Sequence, residues 1–222
     1  MVLTKRLVKS GSPTRRTGRG AENGSRDRLW AAAQTEFAKR GFEGASVDRI
    51  AATARVNKAM IYYHFSSKAA LYREILRDMF QAVGRRARAA AESNDPPDEK
   101  IRQFIEAIAA EADVRPHFPS IWLREVAEGG THLDAGVLRD ITSVVQSLAT
   151  IIDDGVRLRQ FTPISPMLVH AGIVAPLMLH FGSGDLRARL ERSGLKGAGA
   201  VKPAQLVEHL RRVALGLLEG RT

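Results

Sequence analysis

The sequence predicts an all-α protein of about nine helices, divided into a small N-terminal unit and a larger C-terminal unit. Apolar residues recur every three or four positions through most of the 222 residues, which is the period of a helix with one buried face. No segment shows the alternation of apolar and polar residues that is typical of a half-buried strand. The run from Asn94 to Pro97, Asn-Asp-Pro-Pro, interrupts the helical pattern most clearly and predicts the boundary between the units.

The N-terminal unit is predicted to begin with a disordered basic arm, followed by a first helix. Residues 1–24 are rich in Gly, Ser, Thr, Lys and Arg, and they carry too few apolar residues to form a core. The six Lys and Arg of this arm suit DNA phosphates or a minor groove, and an inert tail is the equally open alternative. Ser25 is the expected N-cap of the first helix, which should end at Gly41 in a left-handed conformation.

Residues 46–72 contain two short helical patterns joined by a tight turn. Ser46 is the expected cap of the first pattern, whose apolar face consists of Val47, Ile50, Ala51 and Ala54. Asn57 can cap the second helix, and Ile61 and Phe65, one turn apart, give that helix its own buried face. Two helices of this size form a helix-turn-helix, whose second helix enters the major groove of DNA.

The run N-K-A-M-I-Y-Y-H-F-S-S-K-A-A-L-Y, residues 57–72, resembles the signature of the tetracycline-repressor (TetR/AcrR) family of bacterial transcription regulators. The preceding R-G-F-E-G-A-S-V-D-R-I-A fits the same family. The resemblance implies a homodimer with a three-helix DNA-binding head and connecting helix at 25–91, and a helical effector-binding and dimerisation domain at 98–222. Arg55 departs from the family, which usually has Gly in this turn because positive φ costs glycine nothing. Either the turn is less strained here, or Arg55 adopts the left-handed conformation and offers its charge to a phosphate.

Eight residues of the motif are predicted to contact double-stranded DNA. Lys58 lies in the first turn of the second helix, where its ammonium can reach guanine or a phosphate. Ala59 allows a close approach of the backbone and can touch a thymine methyl group. The resemblance implies that the two tyrosines contact phosphates or sugars and that the histidine contacts a phosphate or a base. Phosphate anchors are expected in Lys68 and in Ser46 at a helix N-terminus. The full set is Ser46, Arg55, Lys58, Ala59, Tyr62, Tyr63, His64 and Lys68.

Positive charge is concentrated in the N-terminal part of the chain. Residues 1–90 contain 19 Lys and Arg against 7 Asp and Glu, a net charge of +12. Residues 91–222 contain 15 against 17, a net charge of −2. This asymmetry is expected when only the N-terminal part faces a polyanion.

Several classes of function find no support in the sequence. There is no cysteine, no pair of the six histidines has i,i+4 spacing, and no serine lies in a GxSxG motif, so no metal, cofactor or enzymatic activity is predicted. The glycine-rich run 194–199 lacks the spacing of a nucleotide loop and is interpreted as a flexible link. No apolar run approaches the ~20 residues of a membrane span, and the N-terminus does not resemble a signal peptide. A cytoplasmic protein without a membrane partner is therefore expected.

The C-terminal unit should contain helices five to nine. Their expected positions are a fifth helix around Ile101–Ile108, a sixth around Ile121–Ala127, a seventh from Val137 to about Leu158, an eighth over Ser165–Phe181 and a ninth over Pro203–Leu218. The last two are too apolar for helices with a single buried face. We therefore expect them to form the homodimer as a four-helix bundle.

Seven residues of the C-terminal unit mix bulky apolar groups with a few polar ones, which is the composition of a small-molecule pocket between helices. They are Phe104, His117, Phe118, Trp122, Met167, His170 and Met178. An ordinary core has the same composition, and the expectation of a pocket for a small organic effector rests on the resemblance. The predicted function is a sequence-specific regulator, a ligand-released repressor that binds an inverted repeat as a dimer. The alternative is a DNA-binding protein without an effector, either an activator or a nucleoid-type binder.

Overall fold

A computed structural model describes the backbone of residues 18–221 and the side chains of residues 24–221. This part of the chain forms ten helices and no strand, which confirms the all-α class. The helices are α1 Gly18–Gly44, α2 Val47–Ala54, α3 Ala59–Phe65, α4 Lys68–Glu92, α5 Pro97–Val114, α6 Phe118–Ala127, α7 Ala135–Arg157, α8 Pro166–Gly182, α9 Gly184–Arg192 and α10 Pro203–Leu218.

The head consists of α1, α2, α3 and the first turns of α4, packed around a shared apolar core. Leu29, Phe37, Ile50 and Ile61 are completely buried there, as the helical spacing predicts. Gly41 interrupts α1 with φ 68° and ψ −179°, so the predicted positive φ is present, but ψ is extended rather than left-handed helical and the helix resumes to Gly44.

The predicted start of α1 at Ser25 is wrong, because the helix already begins at Gly18. Residues 18–24, assigned to a disordered arm, are therefore helical, and the rest of that arm lies outside the described residues. The segment GRGAENG contains three glycines, which disfavour a helix, so local propensity does not explain the extension. Ser25 is buried within the helix.

The long helix α4 connects the head to the body. Ser67 caps it, with its hydroxyl oxygen accepting a 3.0 Å hydrogen bond from the Ala70 N–H. Beyond the head, α4 packs along α7 and α5, and its residues Leu71, Ile75 and Met79, spaced four positions apart, are buried. A displacement of α4 in the body would therefore be transmitted to the head.

The body is built from α5 to α10. Asp134 caps α7, because its carboxylate accepts 2.9 Å bonds from the Gly136 and Val137 N–H groups. By length and composition alone, α7 is the one described helix that could cross a membrane. It packs against α4 and α5, however, and its apolar face contributes Leu148 and Ile151 to the core.

The expectation of about nine helices missed α9. This helix has the sequence GDLRARLER and buries none of its residues, so it carries no apolar stripe that marks it in the sequence. Its Leu, Arg and Ala residues favour a helix on local grounds alone. The predicted flexible link 194–199 lies within the loop between α9 and α10.

Candidate nucleic-acid interface

The turn between α2 and α3 has the geometry that glycine would favour. Arg55 has φ 54° and ψ 47°, which is the left-handed region, and its N–H bonds to the carbonyls of Ala51 and Ala52. The next residue, Val56, also bonds to the Ala51 carbonyl, at 3.1 Å. Arg55 therefore adopts the left-handed conformation in this turn, and its exposed side chain projects from it.

The position of α3 is fixed at its start and along its inner face. The Asn57 carboxamide oxygen accepts a 2.9 Å bond from the Ala59 N–H, as a capping residue does. Ile61 and Phe65 are buried against the rest of the head. Because these residues hold one face of α3 inward, the opposite face is free for another molecule.

Five predicted contact residues share this outer surface, and they are Arg55, Lys58, Ala59, Tyr62 and Tyr63. Tyr62 is 53% exposed and Tyr63 is 68% exposed, which is unusual for aromatic residues without a partner. The surface combines two cations, two phenol groups and a small residue at the helix start. This combination suits phosphates and the edges of bases.

Lys58 is already paired within the head. Its ammonium lies 3.0 Å from a carboxylate oxygen of Asp48, and that hydrogen bond raises the pKa of Lys58 above its ordinary value. Both side chains are exposed, so the pair contributes little to stability. A phosphate or guanine can therefore replace Asp48 at small cost.

His64 and Lys68 are engaged inside the head rather than turned outward. His64 Nε2 lies 2.8 Å from the Ser25 hydroxyl, which joins α3 to α1. The Lys68 ammonium donates to the carbonyls of Phe42 at 2.9 Å and Ala45 at 3.2 Å, and it lies 4.3 Å from the centre of the Phe42 ring. Lys68 thus holds the link between α1 and α2, a role that the sequence analysis missed because its partners are more than 20 residues away.

Ser46 begins α2, as predicted, but its side chain makes no capping bond. Its backbone N–H donates to the Glu36 carboxylate at 3.3 Å, and the same carboxylate oxygen lies 2.5 Å from Arg49 Nε. Arg28 is likewise engaged, donating to the Ala54 carbonyl at 3.1 Å. The cations of the head therefore divide into a structural group and an outward group on α3 and its turn. Contact of the outward group with DNA stays a prediction.

The seven candidate effector residues are only partly brought together. Phe118, Trp122, His170 and Met178 line one cavity of about 30 Å³ between α4, α6, α7 and α8. Phe104 is buried in the core away from this cavity, and Met167 is on the surface, 58% exposed. His117 lies at the junction with the head, where its Nε2 is 3.3 Å from the Thr35 hydroxyl.

The cavity is apolar apart from His170. Burial lowers the pKa of His170, and no described residue forms a hydrogen bond with its ring. A volume of about 30 Å³ suits one or two water molecules, so an organic ligand can enter only if the surrounding helices move apart.

The family model for bacterial regulatory proteins of the tetR family matches residues 29–75, which include most of α1, all of α2 and α3, and the start of α4. Over this segment the chain matches the tetR family. The matched segment is the head described above, so the tetR-family assignment coincides with the helix-turn-helix and its outward surface. The protein is accordingly a DNA-binding transcriptional regulator and not an enzyme.

Similar proteins agree with the tetR-family assignment. The chain is 28% identical over 155 residues to the transcriptional repressor NicS of Pseudomonas putida, a match that covers 64% of this chain and 73% of NicS. It is 47% identical over 49 residues to the repressor SCO4008 of Streptomyces coelicolor, a match that covers 22% of this chain and 26% of SCO4008. The structure of the TetR-family regulator PfmR from Thermus thermophilus has a TM-score of 0.65 at 22% identity, covering 87% of this chain and 95% of PfmR. At that identity, the match to PfmR supports the fold alone.

Proposed function

We propose that the protein is a repressor that binds an inverted-repeat operator as a homodimer and is released from it by a small organic effector. The observation that carries the proposal is the outer surface of α3 and its turn. There Tyr62 and Tyr63 are exposed beside Arg55, Lys58 and Ala59, while the other face of the helix is fixed in the core. A helix presented in this way is suited to the major groove. The relatives NicS and SCO4008 are repressors, which supports repression rather than activation.

An unpartnered apolar surface on the body supports the homodimer. Met167, Leu168 and Leu179 on α8 are 58%, 66% and 57% exposed, and Val213 on α10 is 43% exposed. A Cβ atom added at Gly172 would meet nothing within 4 Å, so a second backbone can approach α8 closely there. Exposed apolar surface of this kind favours association, and two copies of α8 and α10 would form a four-helix bundle. Met167 is therefore reassigned from the effector pocket to the proposed dimer surface.

The cavity around His170 supports release by an effector. Phe80 and Val83 of α4 line it together with residues of α6, α7 and α8. Since the cavity is smaller than any organic effector, binding must displace one of these helices. Displacement of α4 would move the attached head, and an effector that prefers the displaced state would shift the population away from DNA.

Selection from a pool of random DNA duplexes tests the proposal. The duplexes that the protein retains should share two copies of one short sequence in opposite orientation, with centres about 10 base pairs or a multiple of that apart. Enrichment of a single unrepeated sequence would contradict dimeric binding. No enrichment at all would favour the nucleoid-type alternative. A reporter gene placed behind the selected sequence should be expressed less when the protein is present, whereas an increase would identify an activator.

A further inference from the structure

A cluster of titratable side chains lies where the body meets the head, away from both the α3 surface and the cavity. Glu125 and Glu128 are at the end of α6, and His132 follows in the loop before α7. One ligand atom from each of these residues lies within 4.8 Å of the others. His132 Nδ1 is 2.9 Å from Glu125 Oε1 and 3.6 Å from Glu128 Oε2.

Glu125 is the central residue, and it is completely buried. Its Oε1 accepts a 2.7 Å hydrogen bond from the Tyr72 hydroxyl. Its Oε2 is also buried, and no atom of the described residues forms a hydrogen bond with it. A buried carboxylate oxygen without a partner is costly, and such a group in a native protein calls for an explanation.

We propose that these residues form a binding site for a divalent transition-metal ion, with His132 Nδ1 and the carboxylates of Glu125 and Glu128 as ligands. One imidazole nitrogen and two carboxylates are a ligand set that Zn²⁺ accepts, at distances of about 2.0–2.2 Å. Ligand atoms around such an ion are roughly 3–3.5 Å apart, so the observed separations need only small side-chain adjustments. The ion would neutralise the buried carboxylate and coordinate its oxygen.

The ring of His132 is already held in position for this role. It packs 4.2 Å from the ring centre of Phe42 and 5.7 Å from that of Tyr72. Tyr72 remains a hydrogen-bond donor, because burial and the bond to Glu125 raise its pKa. A proton on His132 is the simpler alternative to an ion. It would satisfy Oε1 of Glu125, but it would leave Oε2 of Glu125 without a hydrogen-bond partner. The carboxylates of Glu125 and Glu128 would then share the single positive charge of one imidazolium.

The site would also connect the body to the head. The second ring nitrogen of His132, Nε2, faces Glu43 Oε1 at 3.8 Å, and Glu43 belongs to the end of α1. At that distance the two groups do not form a hydrogen bond, but a small movement of the exposed Glu43 side chain would let it accept from the N–H of a metal-bound His132 and orient the ring. Arg124 strengthens the same junction, donating to the carbonyls of Ala38 at 3.2 Å and Lys39 at 3.0 Å. A bound ion would thus fix the head in one orientation on the body.

The sequence does not predict this metal site, because no two of its histidines have i,i+4 spacing. Glu128 and His132 have that spacing, but His132 follows the end of the helix, and Glu125 is three residues further back. Only the fold shows that the three side chains converge.

Calorimetric titration of the chelator-treated protein with ZnCl₂, and with MgCl₂ for comparison, tests the site. We expect one Zn²⁺ per chain, a higher melting temperature in its presence and no comparable effect of Mg²⁺. His132→Gln and Glu128→Gln should each weaken Zn²⁺ binding by at least about tenfold. His209→Gln, which changes an exposed histidine of α10, is the matched control and should bind Zn²⁺ as the wild type does. No Zn²⁺ binding, or equal affinity in all four proteins, would overturn the proposal.

The connection to the head has its own test, and this part rests on the proposed function. Glu43→Gln should retain Zn²⁺ binding with an affinity reduced by about tenfold at most. With Zn²⁺ at saturation, the wild type should bind its operator with a changed affinity, and Glu43→Gln should show a smaller change. An affinity that Zn²⁺ alters equally in both proteins would contradict the connection. The titrations above need no DNA, so a failure of the operator proposal would leave the metal site separately tested.

Discussion

Replacing Arg55 with glycine should make the head more stable and should weaken its binding to DNA. Arg55 has φ 54° and ψ 47°, a conformation that costs a residue with a Cβ atom about 1–2 kcal/mol. Glycine adopts it freely but loses about 0.5–1 kcal/mol more backbone entropy on folding. The difference predicts a net gain of roughly 0.5–1 kcal/mol in the free energy of unfolding, measurable by urea denaturation.

Arg159 provides the matched control for the strain in Arg55. It has φ 58°, it is exposed, and it follows α7 in the body, so Arg159→Gly should give a similar gain in stability. Only Arg55→Gly should weaken DNA binding, with the slope of log affinity against log salt reduced by ~1 because one phosphate contact is lost. A loss of stability in Arg55→Gly would refute the strain argument, and an unchanged salt slope would remove Arg55 from the interface.

Three further predictions concern the head, the dimer and the body. Lys68→Ala should lower the free energy of unfolding by about 2 kcal/mol, because two charge-assisted hydrogen bonds are lost. Lys58→Ala, which removes only an exposed ion pair, should change it by less than about 0.5 kcal/mol, and urea denaturation of both variants measures the difference. Leu168→Glu places a charge on the proposed dimer surface and should give monomers in light scattering that no longer bind the operator, and a dimeric variant would contradict the assignment. Burial lowers the pKa of His170 in the folded protein. Below about pH 6.5 this histidine therefore binds a proton more readily in the unfolded chain than in the folded one, so the free energy of unfolding decreases as the pH falls. His170→Gln should therefore lose less stability than the wild type between pH 7 and pH 5 in thermal melts, and equal losses would exclude this histidine as a cause.

The sequence predicts a helix end correctly where residues close to that end mark it. Pro203 occupies the first position of α10, as expected, and Gly41 has the positive φ expected of it. These signals depend on residues within one or two turns of each other, so the sequence displays them directly. The start of α1 at Gly18 has no such signal, because the glycines before Ser25 disfavour a helix and serine is a favoured capping residue.

The contacts that the sequence could not predict join distant residues. Lys68 lies close enough to bond the Phe42 and Ala45 carbonyls only because α4 packs beside α1, and the bond from Tyr72 to Glu125 spans 53 positions. A lysine at the start of a helix near DNA suggests a phosphate contact, and nothing in its sequence neighbours indicates these buried partners. The outward residues of α3 were easier to predict, since the buried Ile61 and Phe65 define the opposite face.

The most direct test of DNA reading by α3 is the affinity of Ala59→Asp for the selected operator. Ala59 is exposed at the start of α3, where an acidic residue suits the helix dipole, so this variant should fold at least as stably as the wild type. Fluorescence anisotropy at one salt concentration should show that the wild type prefers the operator over a scrambled duplex by about 10³-fold or more, and that Ala59→Asp has lost this preference. A wild type without preference, or an Ala59→Asp variant that binds the operator as tightly as the wild type, would contradict the account.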